Sequence, residues 1–205
     1  MNRSPKTRFV LVVELIPESY VEPLDLEKAF GRSSPLDVDL GCGDGAFLVA
    51  MAERYPERNF LGIERMRGRV EKVCRKAAKV SNVRVLRLET SYAIRYLLPQ
   101  NTVETFYLLF PDPWPKRRHQ RRRVATSEFL DAIHRALRRH GALHIATDDR
   151  NYFEQIQRVA QSDPRFARLD NSGDDHLPAT RFQKRFEERG APIYRLTLRK
   201  ISPVM

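Results

Sequence analysis

The sequence predicts a doubly wound α/β fold of the Rossmann-like type, with a mostly parallel sheet of about seven strands and helices on both faces. From Leu36 onward, short apolar or β-branched runs alternate with amphipathic segments of helical length, as expected for repeated strand–helix units. The first run leads into a glycine-rich turn, a frequent start of such sheets. With 205 residues, the chain is long enough for one well-buried domain.

The strands are predicted where short apolar runs are bounded by polar or turn residues. These runs cover residues 36–40, 60–63, 83–88, 105–109 and 142–146, followed by two more at 166–169 and 193–198. Helices are predicted where apolar residues recur every three or four positions, at 46–55, 65–79, 92–98, 127–139 and 151–161. Pro56, Pro99 and Gly141 are expected to end the first, third and fourth helices.

We predict two parts in the chain, an N-terminal extension at 1–35 and the main α/β domain at 36–205. The extension contains Pro17, Pro23 and a short helix candidate at 24–30 that ends at Gly31. Its apolar run at 9–13 is interrupted by Glu14, so we interpret it as mature structure rather than a signal peptide. No chemistry can be assigned to these residues from the sequence.

The composition indicates an acidic partner. Lys and Arg number 37 against 26 Asp and Glu, for a formal net charge of +11, and arginine-rich surfaces suit phosphate recognition. Charge alone leaves a basic protein without a nucleic acid partner equally open. The two cysteines suggest neither a disulfide framework nor a metal cluster, and no histidine has metal-ligand neighbours. No apolar run reaches membrane-spanning length, so we expect a cytoplasmic protein without bound metal and without a membrane association.

Residues 39–45 read DLGCGDG and follow the first predicted strand, where Gly41 and Gly43 let a ligand approach the backbone closely. Glu64 ends the second strand about twenty residues later, a position that suits hydrogen bonds to ribose hydroxyls. The alternative is an ordinary strand-to-helix turn. The glycine turn and the acid together favour a nucleotide-like cofactor over that alternative.

The acid in front of the glycines indicates which cofactor. Asp39 would repel the pyrophosphate of a dinucleotide but attract the ammonium and sulfonium of S-adenosylmethionine, so the spacing favours a methyl donor. Glu89 ends the third strand, within reach of the adenine amino group if the usual strand order holds. A solvated loop acid is an almost equally good interpretation of Glu89.

Residues 110–123 read FPDPWPKRRHQRRR and follow the fourth strand. Three prolines stiffen this segment, so Asp112 and Trp114 can be held in fixed directions at little entropic cost. Six of the eight residues at 116–123 are Lys or Arg. A basic run is usually a solvated face, but beside a rigid acid and an aromatic ring at a strand end it favours contact with RNA phosphates.

This segment resembles the Phe-x-Asp-Pro-Trp-Pro-Lys-x-Arg-His motif of the tRNA (guanine-N7-)-methyltransferases, the TrmB family, and the similarity extends over residues 36–198. The resemblance implies methyl transfer from S-adenosylmethionine to N7 of a guanine in the tRNA variable loop, guanine 46 in that family, by a monomer or homodimer. It implies donor contacts from Asp39, Gly41, Gly43, Glu64, Glu89 and Asp112, catalysis by Asp112, and tRNA contacts from Lys116, Asp148, Thr180 and Gln183.

Three positions depart from the family pattern. Asp39 stands where the family usually has Glu, and Glu89-Thr90 where it has Asp-Ala; both keep the charge. Gln183 replaces the glutamate of a Thr-x-x-Glu motif by an amide, which leaves the details of guanine recognition open.

Chemistry at guanine N7 requires no general base, because that atom carries a free lone pair. As the methyl group arrives, positive charge enters the purine, so a carboxylate that binds N1–H and N2–H stabilises the transition state more than the ground state. Asp112, Asp148 and the loop at Thr180 are the candidates. His119 is interpreted as an RNA contact or a surface residue.

Two alternatives remain at this stage. The Asp112-Pro113-Trp114 trio loosely resembles the Asp-Pro-Pro-Tyr motif of methyltransferases that act on the amino groups of adenine or cytosine, although Lys116 and the basic run argue against it. The amide at Gln183 also permits a tRNA-binding homologue without activity. The acids at 39, 64 and 112 argue against this second alternative, because a binding protein does not need donor-site acids.

Overall fold

The computed structural model describes residues 13–169 and 177–201. Within these ranges, strands form a single eight-stranded sheet. The strands are β1 (Glu14–Leu15), β2 (Leu36–Leu40), β3 (Asn59–Ile63), β4 (Val83–Leu86), β5 (Val103–Leu109), β6 (Leu137–Thr147), β7 (Phe166–Leu169) and β8 (Tyr194–Lys200). The helices are α1 (Leu26–Phe30), α2 (Ala46–Arg54), α3 (Arg67–Lys76), α4 (Thr90–Tyr92), α5 (Ser127–Ala136), α6 (Arg150–Gln161) and α7 (Arg181–Glu187). A π-helical turn (Ala93–Leu97) follows α4, and a 3-10 helix (Arg117–Arg122) precedes α5.

The strand order is β1-β4-β3-β2-β5-β6-β8-β7, which confirms the doubly wound α/β fold. The strands from β1 to β6 pair in parallel, and β8 runs antiparallel to both β6 and β7. The chain winds outward from β2 to β4 and then returns to the centre as β5. The carboxyl ends of β2 and β5 therefore meet at the topological switch point, where open α/β sheets bind their ligands.

Apolar side chains cover both faces of the sheet. On one face α2 and α3 contribute Phe47, Leu48, Met51 and Val73, and on the other α5 and α6 contribute Phe129, Ile133 and Ile156. Leu24 and Phe30 belong to the second of these clusters, and β1 pairs with β4. Residues 13–35 thus pack onto the same sheet as the rest of the described chain.

The prediction of a helix at 127–139 is wrong for its last turn. The helix ends at Ala136, and Leu137 already pairs with Val103 as the first residue of β6. Gly141 does not stop a helix but lies within β6, where a Cβ atom would come 2.9 Å from the carbonyl oxygen of Glu104. Pairing with β5 therefore prevails over the helical pattern of this segment.

The strand count is eight rather than about seven, because the two-residue β1 adds to the edge. The other strands lie within a few residues of their predicted positions. No helix in the described ranges is long and apolar enough to cross a membrane.

Candidate active site

Five acidic residues follow five adjacent parallel strands, each close to the strand's carboxyl end. They are Glu89 after β4, Glu64 after β3, Asp39 in β2, Asp112 after β5 and Asp148 after β6. Neighbouring strands lie roughly 4.8 Å apart, so the topology aligns these residues along one edge of the sheet. An open cleft of about 1280 Å³ lies at this edge, and the first four acids line it.

The glycine turn between β2 and α2 forms one wall of this cleft. Gly41, Gly43 and Gly45 have φ of 76°, 58° and 74°, which is left-handed backbone that other residues rarely adopt. The carbonyl oxygen of Ile63 accepts hydrogen bonds from the backbone N–H groups of Gly41 and Cys42 at 2.9 and 3.0 Å. The turn is thereby fixed to β3, and the space beside Gly41 remains open.

Glu64, which follows the neighbouring strand β3, holds the glycine turn through its side chain. Its side chain is only 4% exposed, and its two oxygens accept from Gly43 N at 3.2 Å and Met66 N at 2.9 Å. Arg69 approaches the same carboxylate at 3.4 Å. Gly43 and Arg69 both donate to Oε2, whereas Oε1 accepts from Met66 and keeps a second lone pair. Glu64 can therefore hold the turn and still accept a hydrogen bond from a ligand through Oε1.

Asp39 is the most perturbed acid of the site. Burial, and secondly the charge of Glu64, raise the pKa of Asp39 to about 7. At neutral pH this carboxyl group is therefore close to half protonated, and a cation that enters the cleft would favour its ionised form. Burial also raises the pKa of the neighbouring Cys42 thiol, which keeps that sulfur protonated and unreactive.

Asp44 connects the glycine turn to two helices. Its carboxylate lies 2.8 Å from Lys76 Nζ of α3 and 3.9 Å from an Arg181 nitrogen of α7. Partial burial would raise the pKa of Asp44, but the Lys76 hydrogen bond and the nearby cations lower it overall. This acid is therefore ionised at neutral pH and joins the two sides of the cleft.

Glu89 lines the cleft but already serves as a helix cap. Its carboxylate oxygens accept from the backbone N–H groups of Ser91 at 3.0 Å and Tyr92 at 2.8 Å, so Glu89 caps α4. The side chain is exposed and retains lone pairs for a ligand. The solvated-acid and ligand-contact interpretations of this position are therefore compatible.

The proline-rich loop after β5 is held in an unusual conformation. Phe110 and Trp114, on either side of the exposed Asp112, have φ of 54° and 44°, values that are strained in non-glycine residues. The Phe110 ring packs against Phe186 of α7 at 5.4 Å between centroids. The Arg122 guanidinium lies 4.9 Å above the Trp114 ring. Contacts from two other segments thus hold the loop in place.

The basic run does not face solvent as a whole. Its residues at 116, 117, 118, 121 and 122 are exposed, and Arg122 lines the cleft. Arg123 instead is only 3% exposed and points into the protein. The predicted contact of this run with RNA phosphates therefore falls to the exposed cations and not to Arg123, because the Arg123 guanidinium is used inside the fold.

The remaining predicted residues fall into two groups, one in the lining of the cleft and one outside it. Thr180 lines it and caps α7 by accepting from Gln183 N at 2.9 Å. The Gln183 side chain donates to Glu187 at 2.8 Å. The described lining of the cleft does not include Lys116, Asp148 or Gln183. Asp148 and Gln183 are nonetheless adjacent to elements that form the lining.

Sequence reasoning did not identify the cations of α3 and α7 as site residues. The lining contains basic residues from both sides: Arg65, Arg69, Lys72, Arg181, Lys184, Arg185 and Arg189. In the sequence, these cations recur every three or four residues, which predicts only that they share one face of a charged helix. This spacing identifies site residues only when both helices are known to border the same cleft.

The strand order, the glycine turn and the acids at the strand ends define the class I methyltransferase fold. Among solved structures, the chain is similar to the antibiotic-resistance methyltransferase Kmr (TM-score 0.61, 16% identity, 95% of this chain and 99% of that one). It is similarly close to the 16S rRNA methyltransferase KamB (TM-score 0.60, 19% identity, with the same coverage of 95% and 99%). At these identities the similarity concerns the fold alone.

Sequence comparison identifies the family within this class. A family profile described as "Putative methyltransferase" matches residues 33–196. The tRNA (guanine-N(7)-)-methyltransferase of Halorhodospira halophila is 39% identical over 85% of this chain and 76% of its own length. That of Idiomarina loihiensis is 36% identical over 84% and 74%. The chain belongs to the tRNA (guanine-N7-)-methyltransferase family, as the motif at 110–119 indicated.

Proposed function

We propose that this protein transfers the methyl group of S-adenosylmethionine to N7 of a guanine in tRNA, and that the target is guanine 46 of the variable loop. The observation that carries the proposal is the row of acids along one cleft, in a chain of the tRNA (guanine-N7-)-methyltransferase family. Buried acids lie at the ends of β2 and β3, an exposed acid follows β5, and cations from both sides line the cleft.

The donor side has the chemistry that S-adenosylmethionine requires. That molecule supplies an electrophilic methyl group on a sulfonium and carries an ammonium group, an adenine and a ribose. Glu64 can accept from the ribose hydroxyls, Asp39 can pair with the ammonium, and Glu89 can accept from the adenine amino group. The open space beside Gly41 lets the ligand lie against the backbone.

On the acceptor side, Asp112 is the group best placed to bind guanine. None of the described residues forms a hydrogen bond or ion pair with its side chain, and it lines the cleft one strand away from Asp39. Its two oxygens can accept N1–H and N2–H together. These hydrogens become more acidic as N7 is methylated, so Asp112 would bind the transition state more tightly than the substrate.

This chemistry does not require a histidine as general base. None of the four described histidines lines the cleft, and a lone-pair nucleophile needs none. Catalysis then rests on alignment of N7, the methyl carbon and sulfur, which can supply up to roughly 7–11 kcal/mol in favourable cases. The cations of α3 and α7 supply the phosphate contacts that hold the tRNA for this alignment.

A digest of methylated tRNA tests the proposal. The purified protein is incubated with methyl-labelled S-adenosylmethionine and an unmodified tRNA transcript, and the labelled nucleoside is identified after complete hydrolysis. We expect N7-methylguanosine, and we expect its loss in a matched transcript with adenine at position 46. Label in N6-methyladenosine would favour an amino methyltransferase instead. Tight tRNA binding without any methylation would favour a binding protein.

A further inference from the structure

Arg123 joins two loops of the active-site region from inside the protein. Its Nε donates to the carbonyl oxygen of Pro113 at 2.7 Å. Its Nη1 donates to Asn151 Oδ1 at 3.0 Å and to Gln155 Oε1 at 2.7 Å. Pro113 belongs to the loop after β5, and the two amides lie one helical turn apart on α6, so a single guanidinium connects both elements.

The guanidinium is also held from its face. It lies 4.7 Å above the ring of Tyr152, a fully buried residue whose hydroxyl accepts from the backbone N–H of Ala125 at 3.2 Å. A planar group that is bonded at its edge and stacked on its face has little freedom to move. Arg123 is therefore a direct link that fixes Pro113 relative to α6, in addition to the contacts that Phe186 and Arg122 make with the same loop.

Packing alone does not explain an arginine at this site. Nη2 of Arg123 is buried, and none of the described residues offers it a hydrogen-bond partner. An unsatisfied charged donor in the interior carries a desolvation cost that an apolar side chain would avoid. The other two nitrogens, Nε and Nη1, form a forked donor between the loop and the helix that an apolar side chain could not supply.

Asp112 lies in the loop that Arg123 contacts, and Asp148 lies two residues before α6. Pro113 lies between Asp112 and Trp114, and Asn151 follows Asp148 by three residues. We propose that Arg123 is a positioning residue that sets the separation of Asp112 and Asp148, and with it the orientation of the guanine; this inference rests on the proposed function. Arg123 does not contact the substrate itself.

Replacement by lysine isolates the geometry from the charge. Arg123→Lys keeps one positive charge, but a single ammonium cannot reproduce the planar fork that reaches Pro113 and both amides of α6. Displacement of a catalytic group by about 1 Å can reduce the rate by up to about 100-fold. The proposed donor contacts Asp39, Glu64 and Glu89 lie at the ends of β2, β3 and β4, and Arg123 has no hydrogen bond to any of them, so the affinity for S-adenosylmethionine should not change.

Gln155→Met breaks the same link from its other end. It leaves the Arg123 charge in place and removes one acceptor, so we expect a smaller loss of methylation rate, again without a change in donor affinity.

Arg84→Lys is the matched control, because Arg84 also donates through Nε to a carbonyl oxygen, that of Ala29 at 2.8 Å, and lies 5.3 Å above the Phe30 ring. Arg84 is in β4, away from the residues that line the cleft.

Trp114 provides a readout that does not depend on turnover. It is the only tryptophan of the chain and adjoins Pro113, so its accessibility to acrylamide reports the position of the loop. We compare quenching, the single-turnover rate with both substrates saturating, and donor affinity in the four proteins, at a temperature where circular dichroism shows all of them folded. We expect Arg123→Lys to increase quenching and to lower the rate about 10- to 100-fold, with donor affinity unchanged.

Three results would overturn the inference: quenching and rate in Arg123→Lys equal to those of the wild type, the same losses in Arg84→Lys, or a parallel loss of donor affinity. Wild-type protein that methylates no guanine would instead contradict the proposed function. The quenching comparison between Arg123→Lys and Arg84→Lys would then still decide whether Arg123 holds the loop.

Discussion

The donor and acceptor sides of the cleft are built differently. On the donor side, Asp39 and Glu64 are each 4% exposed, and backbone hydrogen bonds fix the glycine turn between them. On the acceptor side, Asp112 is exposed, and the helix beside it presents Phe182 with 47% of its surface accessible. The proposed donor side is thus mostly buried and fixed by backbone contacts, whereas the proposed acceptor side is more exposed and is held by a few long side-chain contacts.

The two ligands explain this difference. A small cationic molecule is bound tightly by charges that are already desolvated and correctly oriented. A folded RNA presents many phosphates, which require accessible cations, and it contributes a large surface of its own. In the proposed reaction, the site would combine a rigid half for the methyl donor with an exposed half for the tRNA.

The largest expected effect separates catalysis from donor binding. Asp112→Asn replaces one carboxylate oxygen by an N–H donor that would face the guanine donors, so we expect the single-turnover rate to fall about 100- to 1000-fold. Calorimetric titration should show a much smaller change in donor affinity. An equal loss of rate and donor affinity would assign Asp112 to the donor side and contradict the proposed separation of the two sides.

A change at Glu64 should have the opposite profile. Glu64→Gln removes the charge that a ribose diol would contact, and we expect donor affinity to weaken about 10- to 100-fold while tRNA affinity is unchanged. Glu71→Gln is a suitable control, since Glu71 is an exposed acid of α3 that pairs with Arg67 at 3.0 Å. Unchanged donor affinity in Glu64→Gln would remove this residue from the site.

The raised pKa of Asp39 predicts a pH dependence on the donor side. If the ionised form binds the donor, affinity should increase about tenfold between pH 6 and pH 8, because the ionised fraction of a group with a pKa of about 7 rises by that factor. Binding near pH 6 should also release a proton. Asp39→Asn should remove both effects in titrations run in buffers of different ionisation enthalpy.

The same group should affect stability in the opposite direction. Its folded-state pKa lies above the unfolded value, so its contribution is complete at low pH and is lost as the pH rises from about 4 through about 7. Asp39→Asn should therefore become more stable relative to the wild type as the pH increases over this window. Denaturation curves at pH 5 and pH 8 that show the same difference would contradict the pKa assigned to Asp39.

The smallest effect is expected at Gln183. Its amide donates to Glu187, so Gln183→Glu exchanges a hydrogen bond for a like-charge pair one turn apart, at a cost of about 0.2–0.5 kcal/mol to α7. We expect tRNA methylation to be preserved or modestly increased.

Thr180→Ala should lower methylation, since loss of the helix cap costs about 1 kcal/mol. Thr180→Ser keeps the cap, and a defect equal to that of Thr180→Ala would indicate loss of a contact made by the threonine methyl group instead.

Much of the donor side could be predicted from the sequence, because its signals are local. A glycine turn directly after a strand and an acid at the end of the next strand need only the strand order to come together. The sequence-based prediction was wrong where pairing between strands determined the local structure. Leu137 continues a helical pattern but pairs with Val103, and the two-residue β1 is too short to leave a periodic signal.

The acceptor side could be predicted only in outline, because its arrangement depends on distant partners. Arg122 and Arg123 are identical neighbours, yet the first lines the cleft and the second is buried by contacts with residues 28 and 32 positions away. Likewise, Phe110 is held by α7, which follows it by some seventy residues in the sequence. No pattern within the basic run distinguishes an inward arginine from an outward one.

The glycine turn rests on a surface without spare volume, which limits how this site can evolve. A Cβ atom at Gly62 of β3 would lie 2.7 Å from both Cys42 Sγ and Leu48 Cδ2. Any larger residue would require Cys42 of the turn or Leu48 of α2 to move. Exchange between Asp and Glu at the strand ends preserves the charge and leaves this contact intact. Sequence drift in related chains should therefore be tolerated among the acids before it is tolerated at the glycine behind them.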